Sequence, residues 1–76
     1  MKKVSLLQLK PGQKAKVVEI IGGKALENRL MGMGIYLGRD ISKFGHFVLR
    51  GPVAIKVGRT TIALGHDMAK RIMVEE

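Results

Sequence analysis

The segment RLMGMGIYLGRD, residues 29–40, sets glycine at 32, 34 and 38 directly beside the most helical stretch of the chain. Leu26, Leu30 and Met33 stand at i, i+4 and i+7, the spacing of one helix face. A helix that runs into this many glycines has to stop. Gly34 follows the last apolar helical position and precedes Ile35. That order matches a C′ glycine in the left-handed region, with an apolar residue folding back on the helix. Gly38 comes after Tyr36-Leu37 and suits the third position of a type II turn, which needs positive φ. Gly32 lies in the last helical turn, where glycine costs about 1 kcal/mol relative to alanine. The expected compensation is a close approach of another backbone. The segment predicts a helix over 24–33, a stop, and a sharp return into a strand.

Around that helix the chain reads as strands. Lys10-Pro11-Gly12-Gln13 is a turn. Residues 15–21 (AKVVEII) are rich in β-branched side chains, and the doublets Val17-Val18 and Ile20-Ile21 break the alternation, as a bulge or two-sided burial does. Gly22-Gly23 ends that strand. Residues 40–44 form the next, interrupted at Gly45, and residues 46–50 run on to Gly51-Pro52. The clearest signal is VAIKV at 53–57 and TTIAL at 60–64, joined by Gly58-Arg59, a two-residue Gly-X hairpin loop of the II′ kind. Residues 65–70 make a turn or a single helical turn, and 72–74 a last strand. The fold class expected is mainly β with one short helix: a small, partly open barrel of about five strands, with the helix inserted after the first. Short strands in so small a chain protect their edges by curling.

Seventy-six residues make one domain, 1–76, with a marginal core. There is no cysteine, hence no disulfide and no thiolate ligand. Residues 4–7 are too short an apolar run for a leader, and no run reaches the roughly 20 residues of a membrane span. The expectation is a soluble intracellular protein. Its net charge of +8 suits an acidic partner surface or nucleic acid. The basic residues are spread from Lys2 to Arg71 without a block, and the aromatics are only Tyr36, Phe44 and Phe47. A base-stacking platform wants more.

Catalytic constellations are missing. Ser5 and Ser42 have no nucleophile turn around them. Glu19, Glu27, Asp40, Asp67, Glu75 and Glu76 form no spaced pair suited to acid–base work. Gly22-Gly23-Lys24 lacks the earlier glycine and the hydroxyl residue of a phosphate loop. The chain is expected not to be an enzyme and to hold no cofactor of its own. For metals the weak candidates are His46 and His66. A structural site wants four ligands, and the adjacent His66-Asp67 diverge. At most a weak divalent-metal contact is expected.

Several short motifs then fall in one order: Leu9-Lys10-Pro11-Gly12; Gly22-Gly23; Arg29-Leu30 with Met33-Gly34-Ile35; Gly38 and Ile41; Gly51-Pro52-Val53; Ile62-Ala63-Leu64; and Ala69, Ile72 and Val74. In this order and spacing the chain resembles the ferrous iron transport protein A family, the FeoA-like domain. The resemblance implies an SH3-like barrel with a helical insertion, a fold shared with the C-terminal module of iron-dependent repressors. It also implies a cytoplasmic accessory protein of ferrous iron uptake. Its partner would be the cytoplasmic part of a membrane iron transporter bearing a GTP-binding domain, which would recruit it to the inner face of the membrane. The alternative reading is a small basic nucleic-acid-binding barrel.

Barrels of this type commonly bind partners through loops and aromatics near the barrel mouth. That points to residues 43–50, KFGHFVLR. Phe44, Phe47, Leu49 and Arg50 are the expected partner-binding residues. Phe47 and Leu49 are hardest to place in a core, and Arg50 and Lys43 give a basic rim. The competing reading makes Phe44 and Val48 core.

Overall fold

Strand formation begins earlier than the β-branched runs announce. The structure, a computed structural model, describes residues 2–46 and 51–76, and at Gly45 and His46 the backbone alone. In it Lys3–Ser5 forms β1, three residues paired antiparallel to the last strand. Ser5 then caps a single 3-10 turn, Leu6–Gln8: its hydroxyl accepts from the Leu7 N–H, and the Gln8 side chain accepts from the Ser5 N–H. The remaining elements are β2 (Lys14–Ile20), α1 (Gly23–Met31), β3 (Asp40–His46), β4 (Val53–Val57), β5 (Thr60–Leu64), α2 (His66–Lys70) and β6 (Ile72–Glu75).

The six strands form one antiparallel sheet in the order β1-β6-β2-β3-β4-β5, which does not close on itself. The class is the one expected, mainly β and partly open with one inserted helix. The added strand is β1, so α1 follows the second strand. Lys3-Val4-Ser5 is too short to show a period, and its pairing with Ile72–Glu75 is a purely tertiary event.

The Val17-Val18 doublet is a bulge against β6: Val17 pairs with Val74 and Glu19 with Met73, leaving Val18 extra. The expected break of the third strand at Gly45 is corrected. β3 runs through Gly45 to His46, and the irregularity falls at Phe44, between the pairs Lys43–Ile55 and Gly45–Ala54. A bulge absorbs the glycine's neighbourhood without ending the ladder.

Inward-facing residues of all the strands meet in one core: Val4, Ala15, Val17, Ile41, Val53, Ile55, Val57, Leu64, Ile72 and Val74, with Leu6, Leu9, Leu30, Ile35 and Ala69 from the connecting segments. α1 contributes Leu30 fully and Leu26 partly, as their spacing predicted; the helix ends at Met31, short of the expected Met33, which packs against the core from the turn beyond it. The β4–β5 hairpin has its expected register, Val57 opposite Thr60, with Gly58 at φ 62° in the loop.

Candidate docking surface

Where α1 stops, the backbone obeys the glycines. The Ile35 N–H donates to the Leu30 carbonyl and the Gly34 N–H to the Met31 carbonyl, each at 2.9 Å, with Gly34 at φ 89°. This is the paired hydrogen bonding of a Schellman stop, and Ile35 folds back to full burial. Four residues on, the Arg39 N–H donates to the Tyr36 carbonyl with Gly38 at φ 90°, the expected type II turn. Gly32 departs from expectation. The nearest atoms to a β-carbon there are the Arg29 and Asn28 carbonyls of its own turn, so no other backbone among the described residues approaches it within 4 Å.

Both ends of this loop are tied down. Ile35 is anchored in the core, while the Gly38 N–H donates to Val17 O at 2.7 Å and the Val17 N–H to Arg39 O at 2.9 Å. The two residues between have nowhere to go but outward. Leu37 is 57% exposed and Tyr36 39%, and Met31 on the outer side of α1 is 58% exposed. Together with Ile20 and Glu27 they line a groove of about 490 Å³. Arg39 packs against Tyr36. Its Nη1 donates to Tyr36 Oη at 3.0 Å and its guanidinium carbon lies 5.6 Å from the ring centroid. That contact fixes the ring and places a cation at the groove's border. An apolar floor with fixed polar groups at its edge is the makeup of a protein-docking patch.

A second feature lies beneath the sheet. Lys43 is 2% exposed, and its Nζ donates to the carbonyls of Leu7 and Leu9, 2.8 Å each. Its own backbone carbonyl accepts from the Gly12 N–H and its N–H donates to Gln13 O. One residue thus holds the 3-10 turn and the Pro11-Gly12 turn against β3. Burial lowers the ammonium's pKa from the ordinary lysine value.

Only some of the residues singled out from sequence are among the described residues. Phe44 is 53% exposed at its bulge, which removes it from the core. Phe47, Leu49 and Arg50 lie outside the described residues, as do Val48 and the side chain of His46. Lys43, expected on a basic rim, is buried instead, because its stem follows the inward pleat of β3. His66 begins α2, partly buried, and its Nδ1 is buried without a partner among the described residues. No three His, Cys, Asp or Glu side chains converge among the described residues. Nor does any helix among them have the length and apolarity to cross a membrane. In the sequence Tyr36-Leu37 reads as the approach to a turn, which by itself does not show the groove. The signal was there: an apolar pair where a turn normally carries polar residues, and Met31 off the helix's inward stripe.

The model of the FeoA domain matches residues 4–76. A Campylobacter jejuni protein named "Putative Fe(2+) transport protein A" is 30% identical over 71 residues, spanning 93% of this chain and 96% of the relative. A crystal structure of an iron uptake regulatory protein, FeoA, superposes with a TM-score of 0.88 at 35% identity, covering 99% of this chain and 97% of that one. A manganese-dependent transcriptional repressor shares the fold over 40% of its own length, with a TM-score of 0.83 at 19% identity.

Proposed function

The chain belongs to the FeoA domain family, and on that premise we propose that it is a small accessory protein of ferrous iron uptake, acting by binding the cytoplasmic part of a membrane iron transporter that carries a GTP-binding domain. The single observation behind this mode of action is the groove of Ile20, Met31, Tyr36 and Leu37, with large apolar side chains held outward on a loop pinned at both ends. A fixed tyrosine and two flanking aliphatic side chains supply anchor area at low entropic cost. Arg39 beside them, within a chain of net charge +8, favours an acidic partner and raises the association rate more than the affinity. The reading requires no catalytic group and no bound cofactor.

Nucleic-acid binding is less favoured by the same surface, because Tyr36 is engaged by Arg39 and Phe44 does not line the groove. The experiment is ferrous iron uptake in cells lacking this protein, complemented with wild type or with Leu37→Ser. It is paired with a low-salt pull-down of the transporter's cytoplasmic domain. Restored uptake by wild type, with uptake and pull-down both reduced in folded Leu37→Ser, supports the reading. Uptake that does not depend on the protein, or no complex with the domain, overturns it.

A further inference from the structure

The open sheet leaves two edges, and they are guarded unequally. β1 is three residues long and holds Lys3, ion-paired with Glu19. β5 is five residues long, Thr-Thr-Ile-Ala-Leu, with no charge, proline or bulge to discourage pairing. Among the described residues its backbone bonds to β4 alone.

The register says which groups are free. Val57 and Thr60 flank a two-residue loop, so they form a hydrogen-bonded pair, and the bonded pairs then alternate: Ile55–Ile62 and Val53–Leu64. Thr61 and Ala63 fall between, so their N–H and C=O groups point away from β4, a ready template for another strand. Side-chain surroundings alternate too. Ile62 is half-buried on the core side, leaving apolar surface for a neighbour to cover. On the other side a basic row crosses the sheet, Lys14–Ser42–Lys56–Thr61, in pairing register. Arg59 occupies the loop, and the Arg39 guanidinium packs so closely over Gly58 that a β-carbon there would lie 2.7 Å from its Nη2. No acidic residue occurs in β4, β5 or their loop.

We propose that β5 is a strand-addition site for an extended acidic segment of a partner protein, one that alternates apolar and carboxylate side chains. Its backbone would bond Thr61 and Ala63, its apolar residues would cover Ile62, and its carboxylates would face Lys56 and Arg59. Backbone pairing supplies affinity and the alternating side chains supply selectivity. A second copy of this chain is the poorer occupant, because each brings +8 and the same cations to the edge. Arg39 borders both surfaces, but Thr61, Ala63 and Lys56 lie outside the groove, so this site stands or falls separately from the docking reading above.

The test titrates the whole protein with a capped synthetic peptide of alternating valine and glutamate, and with its valine–lysine counterpart. Binding is followed by amide exchange and calorimetry. The expected result is slowed exchange at the Thr61 and Ala63 amides with the acidic peptide only. Ala63→Pro, which removes an outward N–H and spares the β4 ladder, should weaken binding roughly tenfold or more. Lys56→Glu should weaken it as well, and remains informative if the proline variant does not fold. Protection elsewhere, equal binding of the lysine peptide, undiminished binding to folded Ala63→Pro, dimerisation through β5 without peptide, or no binding would each overturn the proposal.

Discussion

The Nζ of Lys43 and the carbonyl oxygen of Leu9 are 2.8 Å apart, joined across a side chain that is 2% exposed. A second bond to Leu7 O completes a bridge from β3 to the segment that follows β1. The only hydrogen-bond partners of this ammonium among the described residues are carbonyls, so dipoles alone offset its desolvation.

That desolvation has a pH consequence. In the folded chain the Lys43 pKa is lowered from 10.5. Between the lowered value and 10.5 the unfolded chain holds the proton and the folded chain does not, so stability rises with pH across that window. Below it both states are protonated and the penalty is fully present. Urea midpoints measured from neutrality upward should show this rise in wild type relative to Lys43→Met, whose profile lacks it. Parallel profiles would mean that the ammonium is solvated.

Lys43→Ala should destabilise by about 2–4 kcal/mol, since it opens a cavity and strands two carbonyls. Lys43→Met should cost less, because it keeps the volume and removes a buried charge. Chemical denaturation of the pair measures both, and equal costs would argue against the packing term.

Gly34→Ala should cost about 1 kcal/mol or more. A β-carbon there would meet Val57 Cγ1 at 3.5 Å, an ordinary contact, so the cost is conformational and comes from φ 89°. An unchanged denaturation midpoint would contradict the helix stop.

In the groove, Leu37→Ser should weaken binding to the transporter's cytoplasmic domain by about 1–2 kcal/mol and leave the melting temperature nearly unchanged. Leu37 is already 57% exposed, so folding gains little from it. Phe47→Ala and Phe44→Ala belong beside it in the same titration. If Phe47→Ala weakens binding and Leu37→Ser does not, the docking surface is the 43–50 segment.

The chain's local chemistry was legible wherever one residue type can satisfy a backbone demand. Gly34 and Gly38 stand where positive φ is required, and Gly58 between VAIKV and TTIAL fixes a hairpin and its register. The Val17-Val18 doublet announced a bulge because two-residue periodicity cannot break silently. Leu26 and Leu30 announced a helix face for the same reason, though the helix stops before Met33. These are short-range constraints, written in neighbours a few residues apart.

Tertiary structure decided what depends on distant segments. β1 exists only because Ile72–Glu75 lies beside it, and Lys43 is buried only because the carbonyls of Leu7 and Leu9, 36 and 34 residues away in sequence, meet its ammonium. The outward pose of Tyr36 and Leu37 needs Ile35 in the core and Gly38 bonded to Val17. The edge position of β5 among the described strands follows from strand order, which no local pattern encodes. A lysine, a Tyr-Leu pair and a Thr-rich strand each have several acceptable environments, and the choice among them is made by what the rest of the chain places alongside.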